Sequence, residues 1–249
     1  MGNLLKTEWY KLKKDRSFRF LTWMLIAAAV LFPLLKFSDG AVDLPTVEDY
    51  YREIVLGTHA SIIKLIPSIL AGFFITNEYS IGTMKSMVSS GNSRLRIYFA
   101  KLIVFSAGTI IISLILPVIM TGACSLYFGF EEMPGWSYYL ETISLITLYG
   151  AAFASIMATF SILFTDSGKT IGFLLLFFIF ADWPLQVLAA KVPFFEPILN
   201  HSVFKLVYDI IMVNHLNSSD SMFVVVVPIL TFVLFGYLGS LIFQRKEIK

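Results

Sequence analysis

The residues of this 249-residue chain whose types and positions could do chemistry are His59, Lys64, Glu141 and Asp182. Each falls inside or at the edge of a long apolar run. Lys64 lies near the middle of one run, with His59 five residues before it. Asp182 interrupts another and is followed by Trp183 and Pro184, and Glu141 sits at the edge of a third. A charge at the centre of a bilayer costs about 2.5–3.5 kcal/mol on insertion scales, so such groups face other helices or a cavity. Two roles suit them. One is a Lys64–Asp182 or Lys64–Glu141 pair that holds helices together; the other is a polar patch along a substrate path.

Enzyme constellations are missing from the sequence. His59, His201 and His215 have no ligand spacing, and H-E-x-x-H does not occur. Glu131-Glu132 has no Arg at short range and no partner histidines, as an intramembrane protease would require. There is no G-x-S-x-G elbow. Ser167-Gly168-Lys169-Thr170 imitates the end of a P-loop, but Leu163 stands where that motif needs Gly. It reads as a tight turn between two spans, so any ATP hydrolysis belongs to another chain. The single cysteine, Cys124, excludes an internal disulfide and a Cys-based zinc site. No catalytic, cofactor or metal site is expected in this chain. The net charge of +2 gives no support to a nucleic-acid partner.

The elements around these residues follow from composition. Hydrophobic residues make up 57% and charged residues 14%, with a mean hydropathy of +0.78. Soluble domains average about 45–50% apolar and about 25% charged. A spanning helix needs about 20 mostly apolar residues. Six runs qualify, at about 18–37, 54–75, 102–124, 140–164, 171–190 and 222–243. The expectation is an all-α membrane protein forming a single transmembrane domain over residues 1–249. Pro33, Pro67, Pro117 and Pro184 fall within these runs and predict kinks.

Basic residues concentrate before the first run, between the second and third, and in the C-terminal tail. The positive-inside rule then puts both termini in the cytoplasm. Leu5, Trp9 and Leu12 recur at i, i+4 and i+7 among lysines, which predicts an interfacial amphipathic helix over residues 2–16. Residues 192–220 are too polar and broken for a span, yet apolar for a loop. Phe204, Val207 and Ile211 recur there at helical spacing. Two short helices dipping into the outer leaflet fit, as does a plain outer loop.

The loop after the second run reads Asn77-Glu78-Tyr79-Ser80-Ile81-Gly82-Thr83-Met84-Lys85 and continues through Ser93-Arg94 to Ala100-Lys101. This phrase resembles the ABC-2-type ABC transporter permease family. The family has an acidic residue ending span two, then Gly-Thr, a short helix, a Ser-Arg pair and a Lys opening span three. Glu78, Gly82, Thr83, Ser93, Arg94 and Lys101 match it. The resemblance implies an elbow helix, six spans, inner termini and short re-entrant helices before span six. It also implies that the loop is a coupling helix docking on a separate ATPase subunit, which would hold ATP and Mg. Lys64 is not a family hallmark.

Ile81, Met84 and Val88 fall at i, i+3 and i+7, giving one apolar stripe suited to a partner's groove. A partnerless helix on the membrane surface would carry the same stripe. Glu78 could pair with Arg94 or with an ATPase residue, and Gly82 supplies a bend. Lys85 adds a charge beside the stripe.

The expected function is the permease subunit of an ATP-driven exporter in a bacterial inner membrane. Its partners would be a second permease copy, more readily identical than different, membrane lipid and the ATPase. Spans rich in Phe, Leu and Ile argue against sugar or strongly ionic cargo. Short permeases of this family resemble exporters of bacteriocins, lantibiotics and toxic amphipathic peptides, or immunity proteins against them. Peptide cargo is therefore expected, with lipid, drug or polysaccharide export and a non-transporting sensor or scaffold as alternatives.

Overall fold

The computed structural model describes residues 1–38, 46–130, 132–181, 183–184, 187 and 191–247. Asp182 and Glu131 lie outside the described residues, so a Lys64–Asp182 pair lies outside them too. All regular structure among the described residues is helical.

The chain opens with α1 (Gly2–Lys14), whose last turn carries Lys11, Lys13 and Lys14. Basic residues suit the negative end of the helix dipole. Asp15 breaks the helix and accepts a hydrogen bond from the Phe18 N–H at 2.8 Å, capping the start of α2 (Arg16–Ser38). The next helix, α3 (Val47–Ser80), starts at a Thr46 cap and contains two wide π-type turns, Tyr51–Leu56 and Gly72–Thr76. A short helix, α4 (Thr83–Ser89), leads to α5 (Arg94–Phe128). Pro117 lies in a further wide turn of α5, Leu116–Met120, which absorbs the missing N–H. Then follow α6 (Trp136–Leu163) and α7 (Ser167–Phe180). Two short helices, α8 (Phe195–Asn200) and α9 (Val203–Asp209), and a 3-10 segment, Ile210–His215, precede α10 (Ser218–Arg245).

Among the described residues, five helices are long and apolar enough to cross a membrane: α2, α3, α5, α6 and α10. Four of the expected runs extend at both ends into polar turns, because backbone hydrogen bonding continues past the apolar stretch. The expected fifth run begins at Ser167, four residues earlier than hydropathy suggests. The Asp166 side chain accepts from the Lys169 N–H at 2.9 Å and starts α7 there. This corrects the reading of Ser167–Thr170 as a tight turn: it is the capped first turn of a helix. With 14 residues, α7 is about 21 Å long, short of the roughly 30 Å of a hydrocarbon core.

The core lies along α6, which packs most extensively against α10 and then α5. Small residues permit this. A Cβ on Gly239 of α10 would collide with the Tyr98 hydroxyl and lie 2.8 Å from Thr159 Oγ1. Thr159 also donates to the Phe235 carbonyl of α10 at 2.8 Å. Close backbones and cross-helix hydroxyls are the usual glue between apolar helices in lipid. α7 packs on α3, where a Cβ on Gly72 would lie 2.9 Å from the Ser167 carbonyl. Phe204 of α9 meets the rings of Phe153, Phe177 and Phe178, so this segment is folded onto the bundle.

Candidate functional site

Both ends of the chain meet the α3–α5 loop at one end of the bundle. α1 packs along α5 through Leu12, which is buried, with Leu5 and Trp9 half-buried. Glu8 sits in the same stripe, between Leu5 and Leu12, and is also buried. A buried carboxylate must be paired. Lys11 Nζ lies 2.8 Å from Glu8 Oε1 and 2.9 Å from Glu78 Oε1. Lys101 Nζ lies 2.8 Å from Glu8 Oε2 and donates to it. Its contact with Glu78 Oε2, also 2.8 Å, is an ion contact without hydrogen-bond alignment. Two acids and two bases thus alternate in a closed quartet joining α1, the end of α3 and the start of α5.

Charge compensation shows in the acid-base behaviour of the elbow. Burial pushes the Glu8 carboxyl up, but Lys101 and Lys11 outweigh it and hold it below 4.5. Burial pulls Lys11 down, and its hydrogen bonds to Glu8 and Glu78 outweigh that and hold it above 10.5. The ring of Phe74 lies 5.0 Å from Lys101 Nζ, walling the quartet on one side.

The expected Glu78–Arg94 pair does not form. Glu78 faces Lys11 and Lys101, while Arg94 donates to the carbonyls of Gln244 and Lys246, at 2.8 and 2.6 Å. The reason is local. Ser93 caps α5, accepting from the Arg96 N–H, and the next side chain reaches the open carbonyls ending α10. Lys246 closes the same corner. Its Nζ lies 3.9 Å from the Tyr79 ring centroid and donates to the carbonyls of Phe164, at 2.9 Å, and Ile162. Burial pulls its pKa down to about 8.

The loop is rigid by construction. Gly82 has φ +74°, a left-handed conformation that caps α4 and favours glycine. Thr83 Oγ1 donates to the Glu78 carbonyl at 3.3 Å. The Ile81–Met84–Val88 stripe does not face outward as one surface. Met84 is 1% exposed and packs among Ile75, Tyr79, Tyr98 and Phe243. Val88 is half-buried, and Met87 turns its sulfur to Lys11 Nζ at 3.6 Å. Only Ile81, 62% exposed, stands out, flanked by exposed Gly82, Thr83 and Lys85. A seven-residue helix has one buried face, and the bundle occupies it.

Among the described residues, His59, Lys64 and Glu141 do not form one cluster. Lys64 is buried and donates to Tyr208 OH at 3.0 Å, with its Nζ 4.9 Å from that ring. His59 is buried one turn away. Glu141 is exposed at the far end of α6 and among the described residues accepts from Ser137, at 3.3 Å; no Lys64–Glu141 pair forms. Sequence reasoning missed Glu8, Lys11 and Lys246. The signal for Glu8 was present: it is an acid on the apolar stripe of α1.

No curated protein matches the chain significantly. A family model described as ABC-2 family transporter protein matches residues 4–181, a stretch that contains the whole quartet, the loop and α2 to α7. That match covers well over half of the chain, which therefore belongs to the ABC-2 family and is the membrane permease subunit of an ABC transporter, working with a partner ABC ATPase.

Proposed function

We propose that this permease exports amphipathic or hydrophobic peptides, as a homodimer, and that the Tyr79–Ser90 loop is where the ATPase docks. The observation that carries the docking reading is the quartet. A loop that transmits force must be fixed to the spans it moves, and Glu78 is held by α1 and α5 together. Ile81 would enter a groove on the ATPase, with Gly82, Thr83 and Lys85 around it. The buried Met84 and half-buried Val88 would anchor the loop from behind. Closure of two ATPase subunits on ATP would then push α3 and α5 as one body and drag the elbow with them. Electrostatic pairs between dry groups resist shear better than exposed ones, since water does not screen them.

On this reading the termini are cytoplasmic, in a bacterial inner membrane. Apolar faces such as the Phe20, Trp23 and Leu31 side of α2 suit cargo drawn from lipid. The test is a reconstituted permease–ATPase complex in proteoliposomes with a fluorescent amphipathic peptide. ATP-dependent peptide movement to the far side, with peptide-stimulated hydrolysis, supports the reading. Hydrolysis stimulated by lipid or drug but not by peptide replaces the cargo assignment.

A further inference from the structure

A groove of about 740 Å³ lies between α6, the 3-10 segment and α10, at the end of the bundle away from the quartet. Its floor is Leu145 and Val224, both buried, and Leu148 and Val225 extend it along the apolar faces of two membrane-spanning helices. It is preformed. Tyr138 OH donates to the Ile211 carbonyl at 2.8 Å and pins the 3-10 segment that forms one wall. The volume lies in the range of small-molecule sites, about 300–1,000 Å³.

The polar groups at its head are Glu141, Ser144, Ser221 and the Asn214 carboxamide, which both donates and accepts. Ser144 spends its hydroxyl proton on the Leu140 carbonyl, at 2.7 Å, and Ser221 spends its own on the Asn217 carbonyl, at 3.1 Å. Their lone pairs remain. Glu141, the one ionisable residue in the lining, is in no ion pair among the described residues and meets only the Ser137 hydroxyl. An apolar trough whose head carries one carboxylate outside any ion pair among the described residues, two acceptor hydroxyls, the Asn214 carboxamide and no basic side chain is complementary to an alkyl chain carrying a cation. We propose that this groove binds a single-chain amphiphile with an ammonium head, the chain lying on Leu145, Leu148 and Val224 and the head on Glu141. The site lies apart from the loop and does not depend on peptide export.

The test uses membranes holding the full permease with its ATPase. A dodecyl-chain trimethylammonium carrying a diazirine is photolysed there, and the labelled residues are mapped by mass spectrometry against the sulfate of the same chain. Labelling should concentrate at 140–148 and 213–225, with about a threefold preference for the ammonium probe, as one partly exposed ion pair allows. Glu141→Gln, at an exposed position, should abolish that preference and keep the fold. Equal labelling by both probes, labels spread along the lipid face of α10, or a preference that survives Glu141→Gln would each overturn the assignment.

Discussion

Glu8 Oε2 and Lys101 Nζ meet at 2.8 Å with side-chain exposures of 2% and 5%. This contact ties a helix outside the spans to the first turns of α5, and Glu78 with Lys11 closes the ring. Removing one partner of a buried pair leaves the other charge uncompensated, at a cost of about 3–5 kcal/mol. Glu8→Ala should therefore lower stability by about that much, and Glu8→Gln by less. A double-mutant cycle with Lys101→Ala, read by thermal unfolding in detergent, should show a coupling of about 0.5–3 kcal/mol. Additive effects would mean that the contact carries no energy.

The quartet also sets a pH window. Glu8 is held below 4.5, so its contribution is present above that value and is lost as pH falls through its folded value. Lys11 is held above 10.5, so its contribution is present below that value and is lost as pH rises through its folded value. The melting temperature should form a plateau between these limits and fall at both ends. In Glu8→Gln the acid-side fall should shrink. An unchanged acid limb would place the sensitivity elsewhere.

Arg94 predicts a different defect. Its guanidinium bridges two carbonyls at the end of α10, so Arg94→Ala should fray the C-terminal tail without unseating Glu78. Limited proteolysis should cut earlier after Phe243 in the variant. Arg94→Lys should rescue poorly, because one ammonium lacks the planar fork. The sequence put the start of the third run at residue 102, eight residues past the Arg94 start of α5, and Arg94's partners were not legible at all, because they lie about 150 residues away in the chain.

Lys246 offers a chemical check on the same corner. Its pKa is pulled down to about 8 by burial, so acylation of this amine should rise through a midpoint near there, against the usual 10.5. Mass spectrometry of the tail after timed labelling reads it. A midpoint at the usual value would mean that the Phe164 and Tyr79 contacts are not maintained.

Much of the architecture was legible because hydrophobic runs register directly in a bilayer. The runs at 18–37, 54–75, 102–124, 140–164 and 222–243 correspond to the five long helices. Periodicity also gave α1, through Leu5, Trp9 and Leu12; at Phe204, Val207 and Ile211 it left short helices and a plain loop open, and the structure has α9 followed by a 3-10 segment there. The site was half legible. Glu78 and Lys101 stood in a recognisable phrase, but pairing is a tertiary property, and the nearest opposite charge in sequence was not the nearest in space. The stripe on α4 misled for a related reason. Periodicity identifies an apolar face without saying whether a partner or the bundle itself covers it, and here Met84 is turned inward.

The central claim is that the exposed tip at Ile81 touches the ATPase. Cys124, the single cysteine, is buried, so Ile81→Cys adds one accessible thiol. A short cysteine-reactive crosslinker, applied to the complex purified from its native membrane, should join residue 81 to the ATPase. It should not do so from Trp136→Cys at the opposite end. ATPase present in the complex but joined through residue 136, or not joined through residue 81 at all, would contradict the account.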